Sequence, residues 1–195
     1  MSIVNRARCV PRAYCRVVSL LACVSWPLLS SGVSAEVTGV GGSGFEVRER
    51  VHVAAQPAAV YAALLEPARW WDPHHTYSGD ASHLTLKARA GGCWCETIPG
   101  GGAVEHMTVT YLSPNKALRM RGGLGPLQGM GVAGSLTITL ASADTGTDVT
   151  FSYAVGGYSK EGFEDLSKGV DTVLGAQAAR LKRLIETGTA QSAGS

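Results

Sequence analysis

The chain of 195 residues has no run of lysines or arginines, no two adjacent arginines, no Gly-Lys pair of the kind that ends a P-loop, no apolar stretch of bilayer length and only five cysteines. Each absence removes a class of function. Without a basic patch there is no electrostatic footprint for nucleic acid or for an anionic membrane surface. Without paired arginines there is no twin-arginine export signal. The longest apolar stretch, residues 17–29, is 13 residues with Pro27 inside it, short of the ~20 that a spanning helix requires. Glycine is abundant instead: 24 of the 25 lie beyond residue 35. They fall in clusters between patterned runs, with no collagen or solenoid period, so neither a fibre nor disorder is expected.

The formal charge of +2 divides unevenly along the chain. Residues 1–35 hold four of the 17 Lys and Arg (Arg6, Arg8, Arg12, Arg16) and none of the 15 Asp and Glu, which leaves 13 basic against 15 acidic residues in the remainder. A basic start, a short apolar stretch and the small residues Ser34 and Ala35 follow the secretory pattern, with cleavage before Glu36. Residues 1–35 are therefore expected to be a signal peptide, and the protein to be periplasmic in a diderm bacterium, or secreted. Leu20-Leu21-Ala22-Cys23 resembles a lipoprotein box, but Arg16 leaves only six apolar residues ahead of that cysteine. The remaining 160 residues suffice for one domain with its own core.

Periodicity divides this body further. Residues 36–44 are expected to be a flexible linker, residues 45–187 the domain and residues 188–195 a disordered tail. Seven strands are marked by alternation: residues 45–54, then runs around Leu84 and Leu86, Trp94 and Glu96, Met107 and Tyr111, Leu118 and Met120, Leu136 and Ile138, and Phe151 and Tyr153. Pro57 opens a helix that Glu66-Pro67 closes. A last helix of about 25 residues carries a broad apolar stripe from Phe163 to Ile185 and stops at Gly188. One strand, short helices, an antiparallel run and one long helix make an α+β fold with a curved sheet packed on the terminal helix.

Gly91-Gly92-Cys93-Trp94-Cys95-Glu96 resembles the Gly-Gly-x-aromatic-x-Glu turn of the SRPBCC (START-like, helix-grip) superfamily, in the branch related to the activator of heat-shock chaperone ATPase and to polyketide cyclase-like proteins. Gly125-Pro126-Leu127-Gln128, Gly156-Gly157-Tyr158, Val170-Asp171-Thr172-Val173-Leu174 and Arg180-Leu181-Lys182 resemble one bacterial subgroup of it. The resemblance spans residues 45–187. It implies a helix-grip fold with an apolar ligand held between sheet and long helix, and it carries no family-wide catalytic set.

The polar residues on apolar faces are the candidate site. Glu49, Glu96 and Glu105 stand among large side chains of the strands: Trp94, Met107, Tyr111, Phe151 and Tyr153. If residues 99–102 close a tight hairpin, Trp94 opposes Met107 and Glu96 opposes Glu105. Two carboxylates about 5 Å apart then require a shared proton, a cation, a ligand donor or water. Trp70 and Trp71, followed by Asp72, His74 and His75, read as a pocket rim able to stack an aromatic, or as the packing of a helix end. The spacing of these residues and His83 matches no zinc pattern, and no metal or cofactor is expected. Asp171 and Gln177 flank the terminal stripe and could line the same cavity, or serve capping or surface roles. Residues 129–134 spell Gly-x-Gly-x-x-Gly, but a strand follows where a nucleotide site needs a helix. Cys93 and Cys95, two apart on one strand face, are expected at about 6.5 Å between Cα atoms and therefore unbridged. A redox or metal pair, a bond to another molecule, and a nucleophile pair with His106 are the other readings of these thiols. The expected function is binding of a small hydrophobic or aromatic molecule. The alternatives are a cyclase or dehydratase using a cavity Glu as general acid/base, and a protein-interaction module.

Overall fold

Strand β2 (Gly44–Val53) shows how the pattern becomes structure. Phe45, Val47, Glu49, Val51 and Val53 are buried, while the residues between them are half-buried or exposed, the two-residue period of a sheet with one covered face. The structure, a computed structural model, describes residues 34–192. The expected signal peptide lies outside the described residues except for its last two positions.

After β2, α1 (Pro57–Leu64) starts at a proline, whose fixed φ suits the first helical position and whose missing N–H would have no partner there. Pro67 then opens the short α2 (Pro67–Trp70). Two single turns, Pro73–His75 and Ala81–His83, are capped by the Asp72 and Asp80 carboxylates, which accept from the backbone N–H of His74 and Ser82. The chain then meanders through β3 (Leu84–Leu86), β4 (Cys93–Ile98), β5 (Gly102–Ser113), β6 (Ala117–Gly122), β7 (Gly131–Ala143) and β8 (Gly146–Tyr158) into α3 (Glu164–Thr187). Glu164 and Asp165 sit in the first turn of α3, where the helix dipole favours negative charge, and Gly188 ends the helix at φ 84°.

With β1 (Ser34–Gly41) ahead of β2, the strands form one antiparallel sheet in the order β1-β2-β8-β7-β6-β5-β4-β3. The helices carry the chain from β2 to the far edge, and the meander returns to pair β8 with β2. The curved sheet and long C-terminal helix make the α+β helix-grip arrangement expected from the sequence. Leu174, Ala178, Leu181 and Leu184 of α3 are buried in the core. The helix runs along β2: the Phe163 ring lies 5.9 Å from that of Phe45, and near the other end Lys182 Nζ donates to the carbonyl of His52 at 2.6 Å.

Two boundaries differ from expectation. Most of residues 36–44 is not a linker but belongs to an eighth strand, β1 (Ser34–Gly41), paired with β2. Sheet pairing uses backbone groups that glycine also has, a shift of register between Val37 and Gly39 absorbs the irregularity, and Val37 and Val40 pack against the core. The expected disordered tail begins with an ordered stretch. Ala190 is buried and its carbonyl accepts from Arg183 Nη1 at 2.6 Å, because the left-handed Gly188 turns the chain back.

Candidate functional site

Between the sheet and the helices lies an apolar cavity walled by Trp70, Trp71, Trp94, Met120, Phe151 and Leu174 among others. Its volume is about 10 Å³, room for one water molecule at most. The interior is closed rather than open. Three indoles from α2, the residue after it and β4 form its most aromatic wall. Trp71 meets Trp94 edge-on at 4.8 Å and 89°, and Trp70 meets Trp71 at 5.5 Å. Trp71 donates its N–H to the carbonyl of His75 at 3.0 Å, whereas the indole N–H groups of Trp70 and Trp94 are buried with no partner among the described residues. A buried donor left unpaired costs about 1–3 kcal/mol.

Glu49 is 0% exposed, and neither carboxylate oxygen meets hydrogen-bond geometry with any described group. Burial pushes its carboxyl up to about 8, and Asp171 of α3 pushes the same way, as an acceptor for the proton and as a like charge. Asp171 Oδ1 is itself buried and unpartnered. The pair adjoins the cavity: Glu49 is the register partner of Phe151, and Asp171 lies on α3 one turn before Leu174. Tyr61 of α1 contributes another buried, unpartnered hydroxyl, which burial keeps above its ordinary pKa.

Glu96 does not face Glu105. Trp94 opposes Met107 as expected, but the register then shifts, so that Cys95 opposes Glu105 and Glu96 opposes Val104. The extra residue is His106, and a bulge of this kind reverses which face the following residues occupy. Glu105 is exposed, His106 turns inward, and Nε2 of His106 lies 2.9 Å from Glu96 Oε2. Glu96 also accepts from the backbone N–H groups of Tyr77 and Ser78. Burial alone would raise the Glu96 carboxyl, but the hydrogen bonds from Ser78, Tyr77 and His106 outweigh it and hold the group below its ordinary value. Burial lowers His106 despite the neighbouring carboxylate. The ionised Glu96 can only accept, so the proton sits on Nε2, and Nδ1 faces the Gln128 amide at 3.3 Å. This cluster fastens the loop after α2 to the sheet.

A second register shift, between Val109 and Tyr111, turns Tyr111 outward. It is 49% exposed, with the Arg119 guanidinium 5.7 Å above its ring, and is not a cavity residue. Met107 and Tyr153 are buried beside the cavity rather than on its wall. The Tyr153 hydroxyl is engaged, donating to the Gly122 carbonyl at 2.9 Å and accepting from Leu124 N at 3.3 Å. Of the ten residues expected at the site, Trp70, Trp71, Trp94 and Phe151 line the cavity, Glu49, Glu96, Met107 and Tyr153 are buried around it, and Glu105 and Tyr111 lie outside.

Cys93 and Cys95 are disulfide-bonded, contrary to the expectation of free thiols. The two Cα atoms lie 5.3 Å apart beside the register shift between Trp94 and Cys95, closer than in a regular strand and within bridging range. Asp72 and His75 dock the loop on α3 instead of forming a rim. Gln177, fully buried, accepts from Asp72 N at 2.9 Å and meets His75 Nδ1 at 3.1 Å. Among the described residues no three His, Cys, Asp or Glu side chains group as metal ligands. Residues that sequence reasoning passed over are Tyr61, hidden in an apolar stripe, and the backbone of Tyr77 and Ser78, which has no signal in side-chain type.

The family described as polyketide cyclase / dehydrase and lipid transport matches residues 44–186. Among solved structures, the chain is similar to protein MLL2253 from Mesorhizobium loti, with 18% identity, a TM-score of 0.55 and coverage of 72% of this chain and 96% of that one. It is also similar to the conserved protein of unknown function EF2215 from Enterococcus faecalis, with 15% identity, a TM-score of 0.56 and coverage of 83% and 80%. A third is CalU16 from Micromonospora echinospora, with 14% identity, a TM-score of 0.52 and coverage of 80% and 84%. No curated protein matches the chain. At these identities the structural likenesses speak for the fold, and the family match covers nearly all of it. The chain belongs to the polyketide cyclase / dehydrase and lipid transport family, and with it to the SRPBCC superfamily.

Proposed function

We propose that the protein is exported and binds a small hydrophobic or aromatic molecule between its sheet and α3. One observation carries this reading: an otherwise apolar interior retains unpartnered polar groups, namely the carboxyl of Glu49 and the indole N–H groups of Trp70 and Trp94. Each is a cost to the unliganded fold that a ligand's polar atoms would remove. The apolar walls supply affinity and the polar groups orientation. Because the cavity is closed, binding requires it to widen. The test is titration with the uncharged fluorescent probe N-phenyl-1-naphthylamine: micromolar or tighter binding to the native protein supports the reading. Failure to bind makes an interaction surface the leading alternative. Export is tested by intact mass, which is expected to place the N-terminus of the exported protein at Glu36; a lipid-modified chain starting at Cys23 would contradict it.

A second reading, an enzyme of the cyclase or dehydratase type, rests on Glu49. A carboxyl raised to about 8 holds its proton at neutral pH and can serve as a general acid. A carrier returns its ligand unchanged, whereas an enzyme depletes it.

A further inference from the structure

On the binding function proposed above, we infer that the ligand is a protonated amine with an apolar or aromatic body, its ammonium group held between Glu49 and Asp171. With Phe163 against Phe45 at one end and Lys182 on the His52 carbonyl at the other, the intermediate Asp171 falls over the intermediate Glu49. The two acids thus meet across the sheet–helix seam, facing each other from opposite layers.

Among the described residues no ion pair joins a cation to either acid. The basic residues of α3 nearest Asp171 are committed elsewhere: Lys168 to Asp165, Arg180 to Asp72 and the Trp70 carbonyl, Lys182 to Glu186 and the His52 carbonyl. Across the sheet, Phe151 of β8 and Ala35 of β1 are the register partners of Glu49 and carry no charge. One proton shared between Glu49 and Asp171 Oδ1 leaves the second Glu49 oxygen bare in an apolar surround, while the half-buried Asp171 keeps its other oxygen toward the edge of the seam. A bound metal would want further protein ligands, and no third His, Cys, Asp or Glu groups with these two among the described residues. A neutral hydroxyl supplies one donor and no charge. An ammonium supplies up to three donors and cancels the charge that burial and the like neighbour otherwise forbid. Its body would extend past Phe151 and Leu174 toward Trp70 and Trp94, where an indole face suits an aromatic ring.

The experiment uses the whole protein and two near-isosteric probes, tryptamine and tryptophol, which differ in an amine against a hydroxyl, with N-phenyl-1-naphthylamine as the neutral reference. Tryptamine is expected to bind at least about tenfold more tightly than tryptophol at pH 7, the size of one charge-assisted hydrogen bond. Calorimetry in buffers of different ionisation enthalpy is expected to find proton release on amine binding, as the ammonium replaces the shared proton, and none with tryptophol. Both Glu49→Gln and Asp171→Asn, checked for folding by circular dichroism, are expected to cut the amine preference below about threefold while leaving the neutral probe bound. If the neutral probe binds but tryptophol matches or exceeds tryptamine, or if both variants keep the preference, the amine inference fails and the binding function stands. If no probe binds, the binding function fails and takes the inference with it.

Discussion

Glu49 concentrates the electrostatic cost of the fold in a single side chain. Its carboxyl is raised from 4.5 to about 8 in the folded protein, so between those values the folded state holds a proton that the unfolded chain releases. Stability from this group is therefore complete below about pH 4.5 and is lost as pH rises through about 8, at a limiting slope of about 1.4 kcal/mol per pH unit. Glu96 and Asp72, both held below their ordinary values, act in the opposite sense, but only in acid, where their stabilisation is lost as they protonate. Urea denaturation is expected to give a higher midpoint near pH 7 than near pH 9, an interval above the one in which the burial-lowered His106 opposes Glu49, and Glu49→Gln to flatten that difference. A wild-type midpoint unchanged across this interval would show that Glu49 is ionised in the native state. The feature was legible from residue type and alternation alone: an acid on an apolar strand face, and a second, Asp171, flanking an apolar helix stripe. That they meet depends on how α3 lies along β2, which periodicity does not contain.

At the scale of elements, β5 explains most of what the sequence hid. Alternation identified the strand and paired Trp94 with Met107 correctly, but two register shifts within it reversed the facing of Glu105 and of Tyr111. A bulge adds one residue and leaves composition and turn signals untouched, so nothing local announces it. The same shift gives His106 to Glu96, and beside it Cys93 and Cys95 are bridged. Thiol counting in denaturant without reductant is accordingly expected to find no free thiol at these two positions, and the intact mass to lie two hydrogens below the reduced value. Two free thiols per chain would show that the bridge is absent. The loop it closes is so short that reduction is expected to destabilise the domain by under about 2 kcal/mol. Helix ends were easier to read, because Pro57, Pro67 and Gly188 act through their own backbone preferences. Strand β1 was masked by glycines, whose scarcity of side chains suggested a linker.

For the whole molecule, the topology decides when the interior can exist. Strand β2 is formed near the start of the domain, yet its inner neighbour β8 and its covering helix α3 are the last elements of the chain. Glu49 waits for Phe151 and Asp171, over a separation of roughly a hundred residues, the kind of long-range closure that slows folding. The meander from β3 to β8 can pair hairpin by hairpin, but it cannot shelter an acid that lies on β2. A nascent chain therefore presents Glu49 to water, ionised, until its final helix is synthesised, and the proton is taken up only as the two ends of the domain come together.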